Sequence, residues 1–206
     1  YVSHRKELEE EKNSEALTKA ESKSIQGVID ESSSNMSKAS KKIKKIYSQS
    51  IQGLAKGDLS ALKKNRKAVS KYSEEVDDLR NDLFYFIKNL DEETIKGASN
   101  FYINVLAYMQ DIAESLQYIS KITYKHINNN HTHLTFNQIR ELQEIDSELN
   151  NLYNEIQFIF SNENLKELNK VIDKKQELYS SLKEKIDIQI ARTKKDESSP
   201  KNTTLY

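Results

Sequence analysis

The sequence predicts an all-α protein built as tandem three-helix up-down bundles of long antiparallel helices. Three observations carry that expectation. Four glycines and one proline, Pro200, are spread over 206 residues, so long elements meet few chain breakers. Apolar residues recur at i, i+3 and i+4 along most of the chain, which is the spacing of one helical face. A weak internal repeat, offset by about 105 residues, sets Ile51-Gln52-Gly53-Leu54 over Ile156-Gln157-Phe158-Ile159. Beyond the turn, with one residue inserted, Leu59 to Leu62 falls on Leu165 to Leu168, Tyr72 on Leu178 and Val76 on Leu182.

Taken in order, residues 1–21 read as a charged helical lead-in or linker with sparse Leu8 and Leu17. A first helix from about Ser22 to Lys56 carries Ile25, Val28, Met36, Ala39, Ile43, Ile46 and Leu54 on one stripe. Within it, Asp30 to Asn35 are poor helix formers and mark a kink or break. Gly57 suits the left-handed conformation of a helix C-terminal cap, and Asp58 suits the N-cap of the next helix. The second helix, Leu59 to Leu90, has heptad spacing through Leu62, Val69, Val76, Leu83 and Leu90, interleaved with Tyr72, Leu79 and Phe86.

Asp91 caps a third helix, which lies within the most apolar stretch of the chain, Phe101 to His133, and ends near Asn128 to Asn130. Apolar over most of its girth, it reads as the central helix of the bundle. Thr135 and Gln138 form a capping box that starts the fourth helix. A turn at Ser161 to Asn164 leads to the fifth, whose stripe is Leu165, Leu168, Ile172, Leu178/Tyr179, Leu182, Ile186 and Ile190. Residues 192–206 read as a polar tail. The first unit therefore spans 22–130, and the second, 131–191, holds two helices. A sixth helix is expected beyond Tyr206, and the opening on Tyr1 rather than methionine reads as a piece of a longer protein.

Composition narrows the function classes. With 31% charged and 36% hydrophobic residues the core is thin, but the periodicity argues for folding. The 32 basic and 32 acidic residues cancel, which gives no general attraction for nucleic acid. No cysteine is present, so thiolate chemistry and disulfides are excluded. No run of eighteen apolar residues is long enough to span a bilayer. From Lys38 to Lys71 the basic residues gather against a single acid, Asp58, and read as a solvated helical hairpin. Phosphate groups, anionic lipid or an acidic partner are its alternatives. No cysteine nucleophile, G-x-S-x-G or phosphate-cradling glycine loop occurs, so neither an enzyme nor a small-molecule substrate is expected.

The candidate metal ligands are carboxylates one helical turn apart. Residues at i and i+4 lie about 6 Å apart on one face, a spacing that can share a hard cation, although a solvated face explains it as well. Glu74 and Asp78 have this spacing, and Asp111 and Glu114 are a nearby pair on the third helix. His126, His131 and His133 cluster at that helix's end, where a structural role in capping is the commoner reading than zinc. The tyrosines mostly fall on the stripes and read as core or core-edge residues.

Tyr108 to Ile119 (YMQDIAESLQYI), Tyr124 to His131 and Ser73 to Leu83 (SEEVDDLRNDL) together resemble the phosphate-uptake regulator (PhoU) family. The similarity is to the PhoU-like domain that follows the membrane segments of bacterial sodium/phosphate cotransporters, and it covers most of residues 22 to 190. It implies a non-catalytic regulatory domain at the cytoplasmic face of the bacterial inner membrane. Its partner would be the membrane transporter domain of the same polypeptide, with a homodimer as a further assembly. It also implies a divalent metal or iron as cofactor, with Glu74, Asp78, Asp111 and Glu114 as ligands. The sequence departs from the family at Gln110, where an acid is expected, and at Ala113, where a glycine is. The competing reading from the heptads is a spectrin-like or coiled-coil structural protein.

Overall fold

Two turns set the architecture, and the first is the better defined. In the computed structural model, which describes residues 25–88, 92, 100–162 and 164–206, α1 (Ile25–Lys56) reverses into α2 (Leu59–Lys88). Gly57 takes φ +61, as its C-cap position requires, and its N–H closes on the Leu54 carbonyl. Asp58 Oδ1 accepts from the Ala61 N–H at 2.9 Å, the expected N-cap. The two helices pack so closely that a Cβ on Gly53 would lie 2.7 Å from Leu62 Cδ2.

The chain continues through α3 (Asn100–Asn128), α4 (Phe136–Ser161), a 3₁₀ turn (Leu165–Glu167), α5 (Leu168–Lys194) and α6 (Pro200–Leu205). All the described secondary structure is helical, as the sequence predicts. The capping box of α4 forms as expected: Thr135 and Gln138 exchange side-chain and backbone hydrogen bonds at 2.9 and 3.4 Å. The lead-in at 1–21 and the caps and heptad positions at Leu90 and Asp91 lie outside the described residues, as do the side chains of Ile25, Val28, Leu83, Phe86, Phe101 and Leu165.

α1, α2 and α3 make a closed three-helix bundle around Ala39, Ile43, Ile46, Val69, Tyr72, Val76, Leu106, Met109, Ala113 and Leu116. Ser73 Oγ accepts from Gln117 Nε2 at 2.7 Å, and Arg66 stacks on the Tyr124 ring, which fixes α2 antiparallel to α3. α4 lies antiparallel along α1. Ser48 donates to Asp146 at 2.6 Å, Lys44 reaches Asn154 at 2.7 Å, and the hydroxyls of Ser37 and Ser161 meet at 2.8 Å. α5 returns along α4, held by ion pairs from Lys174 to Glu155 and from Lys185 to Glu144.

Three expectations are corrected by this arrangement. The central helix is α1, which touches α2, α3 and α4; α3 packs mainly on α2 and α1 and turns Ile103, Tyr108 and Tyr118 to solvent. The physical reason is the size of side chains. α1 buries Ser32, Ser33, Ser40 and Ser50, whose small side chains let neighbours approach on several sides, whereas α3 leaves its large Tyr108 and Tyr118 exposed. The serine-rich segment is no break either: α1 runs unbroken, and Ser40 and Ser50 return their hydroxyl protons to carbonyls one turn back. Finally, residues 192–206 are not a free tail. Arg192 belongs to α5 and grips Glu141 with two nitrogens at 2.6 and 2.8 Å, while the Tyr206 hydroxyl donates to the same carboxylate. Ser199 caps α6, and Asn202 Nδ2 donates to the His133 carbonyl at 3.2 Å. Polar sequence here builds a polar, buried corner around Gln138, which is fully buried and bonds to Gln189 and Ser198.

Candidate functional site

The four carboxylates selected from the sequence are all exposed, Glu74 and Asp78 on α2 and Asp111 and Glu114 on α3. Gln110, the residue standing in an acidic position, donates to Glu114 Oε1 at 3.1 Å. Next to them Asp77 pairs with Arg80, so part of the acidic face is already neutralised. Among the described residues no three of His, Asp or Glu come together as a set that could hold a metal ion. The geometry thus supplies pairs on a wet surface and no enclosed donor shell.

The histidine corner joins the end of α3 to the α1–α2 turn. His126 is buried, its Nε2 lies 2.9 Å from the Thr132 carbonyl, and its ring sits 5.3 Å from that of His131. Burial holds its pKa below the ordinary value of 6.5, and the neighbouring His131 and His133 push the same way against the Thr132 hydrogen bond. With its proton on Nε2 it ties the α3–α4 link back on itself while Asn130 turns the chain at φ 52. His133 packs over Gly57, whose missing Cβ would lie 2.9 Å from Cε1.

A stronger candidate is the outer face of α5. The α4–α5 hairpin reproduces α1–α2 at the offset read from the sequence: Leu54 and Ile159 are both buried, and Tyr72 and Leu178 occupy equivalent core positions. The resemblance stops where α2 meets α3. Arg66 and Ser73, which touch Tyr124 and Gln117 of α3, correspond to Ile172 and Tyr179, and Val76 corresponds to Leu182. Val76 is 1% exposed; Leu182 is 36%, Ile172 55% and Tyr179 64% exposed. Ile186 and Ile190 continue the strip toward the end of α5. From Ile172 to Ile190 it runs about 27 Å. Among the described side chains of the predicted stripe, only Leu178 is buried. Among the described residues no element covers this face, on which the exposed apolar side chains alternate with Lys175 and Lys183, and exposed apolar residues repeated along one helix face suit an interaction surface.

Periodicity alone found these residues but assigned them to the interior, since it identifies an apolar face without saying what covers it. Compared with family models, with curated proteins and with solved structures, the chain matches none.

Proposed function

We propose that this chain is a non-catalytic regulatory domain of a sodium-dependent phosphate transporter, acting by docking a partner helix against α5. The observation that carries the docking is the apolar strip Ile172, Tyr179, Leu182, Ile186 and Ile190, lying where the first unit seats α3. A third helix there would bury the strip as α3 buries Val76, and regulation would follow if the partner offers that helix in one transport state and not another.

The transporter assignment is supported by the resemblance carried by Tyr108 to Ile119, Tyr124 to His131 and Ser73 to Leu83. The basic end of the bundle fits the same setting. Lys45, Lys56, Lys63, Lys64 and Lys67 are exposed there, and no helix among the described residues is long and apolar enough to cross a membrane. A domain held beside an anionic leaflet would be attracted through such a lysine cluster.

The test is sodium-dependent uptake of radiolabelled phosphate in cells whose transporter carries Ile186→Asp in this domain. The expected result is uptake that no longer adjusts to phosphate supply, at unchanged transporter abundance. Normal adjustment after deletion of the whole domain would overturn the reading. The exposed strip also suits self-association, the structural coiled-coil alternative. Sedimentation separates the two: a dimer at low micromolar concentration that Ile186→Asp dissociates favours the structural protein.

A further inference from the structure

The chain carries no net charge, yet the fold sorts its charges along the bundle. One end gathers the Gly57 turn, the α3–α4 link and the end of α5 with α6. His133 packs over Gly57, Asn202 Nδ2 reaches the His133 carbonyl, and Arg192 of α5 holds Glu141 of α4. Lys56, Lys63 and Lys64 from the hairpin, Lys125 from α3, and Lys194 and Lys195 at the end of α5 are all exposed within about two turns of this end. Lys201 of α6 joins them. Against them stand the exposed acids Asp58, Asp196 and Glu197. Two arginines there are already matched, Arg192 by buried Glu141 and Arg140 by Glu144.

Distance keeps this charge from being cancelled by the rest of the chain. Glu74 lies about fifteen residues into α2, about 22 Å from the Gly57 turn, and Asp78 lies farther. Asp111 and Glu114 are set back about as far from the end of α3. The Debye length is about 8–10 Å at physiological salt, so a surface meeting this end feels its lysines and little of those carboxylates. Two large apolar side chains stand at the same end. Phe136, the first residue of α4, is 78% exposed, and Leu59, the first of α2, is 37% exposed. Lysines beside an uncovered aromatic ring suit a partner that is anionic at its surface and apolar beneath. Duplex nucleic acid offers phosphate charge but no apolar layer to receive Phe136 and Leu59.

We infer that this end of the bundle docks on an anionic lipid bilayer, with its lysines at the headgroups and Phe136 inserted below them. The long helices then rise from the bilayer and leave most of the α5 strip clear of it. This surface stands whether or not the domain belongs to a transporter, and its assay contains none.

The probe is a phosphatidylcholine vesicle containing about one-third phosphatidylglycerol, sedimented with the purified chain at about 0.1 M salt. Saturable binding is expected, at least tenfold weaker on pure phosphatidylcholine or at about 0.5 M salt. Lys63→Glu combined with Lys64→Glu should weaken it at least tenfold. Lys38→Glu combined with Lys41→Glu makes the same charge change about 22 Å or more from this end, and should alter binding less than about twofold. Phe136→Ser should weaken binding about tenfold while the helical circular dichroism stays unchanged. No saturable binding to the mixed vesicles, or equal losses from the two lysine pairs, overturns the surface. Undiminished binding by Phe136→Ser overturns the insertion, and tighter binding to duplex DNA than to the vesicles overturns the choice of lipid. Ile186→Asp should leave vesicle binding unchanged; its loss there would put the bilayer against α5 instead and overturn docking by the basic end.

Discussion

The two helical hairpins of this chain share a register and a buried residue before the turn, Leu54 in one and Ile159 in the other, yet they end in different states. The α1–α2 hairpin is closed by α3, which covers Val76 and receives polar contacts from Ser73 and Arg66. The α4–α5 hairpin keeps apolar side chains at the corresponding positions and shows them to solvent. The difference teaches that two hairpins sharing a register can end one in a covered core and the other with an apolar face open to solvent. What decides is whether the outer positions are polar, as in α2, or apolar, as in α5.

The largest effect that can break this comparison is a carboxylate placed at each equivalent site. Val76→Asp should cost about 4 kcal/mol or unfold the chain, since it buries an unpaired charge in a packed core. Leu182→Asp should stay within about 0.5 kcal/mol in urea denaturation. Similar losses at the two sites would show that α5 is packed as α2 is.

The corner that secures α5 comes next. Glu141 sits between Arg192 and Tyr206, and Arg192→Ala should cost about 2 kcal/mol by leaving that carboxylate half-paired. The hydrogen bond from Arg192 lowers the Glu141 pKa most, outweighing burial, with Tyr206 helping. A carboxylate depressed in the folded state stabilises above its unfolded pKa and loses that contribution as pH falls through the folded value. The α4–α5 region should therefore weaken in acid below the ordinary carboxylate range, and Arg192→Ala should flatten this dependence.

His126 gives the first unit a different window. Its pKa is lowered by burial, so the unfolded chain takes up a proton first as pH falls past 6.5. Stability should drop as pH falls below about 6.5 in the natural sequence and less so in His126→Gln. A profile that stays flat as pH falls past 6.5 would contradict the buried neutral imidazole.

The turns differ as well. Gly57 needs a positive φ and lies under His133, whereas Asn162, in the matching place, has φ −107. Gly57→Ala should cost about 1–2 kcal/mol. Asn162→Ala should lose little more than its side-chain bond to the Phe158 carbonyl, about 0.5 kcal/mol.

Much of this was legible in the chain because it depends on local chemistry. Gly57, Asp58 and the Thr135–Gln138 box act within a turn of themselves, and the helices they bound follow the 3.6-residue spacing. The repeat gave the register of the second hairpin on the first. What the sequence hid depends on partners remote in the chain. The centrality of α1 rests on serines whose small size matters only when three helices converge. Arg192 and Tyr206 look like tail residues until Glu141 is brought beside them. The carboxylates Glu74, Asp78, Asp111 and Glu114 are spaced as a metal-binding pattern would space them, but the fold leaves all four on an open surface.

Accessibility at one position of the α5 strip tests the central claim most directly. The natural sequence has no cysteine, so Ile186→Cys introduces a single thiol for a labelling reagent. In the purified chain it should label at nearly the rate of a free thiol. In membranes from cells making the transporter proposed to carry this domain, labelling should slow at least tenfold as a docked helix covers the site. Equal, fast labelling in both settings would contradict the claim that this face receives a partner.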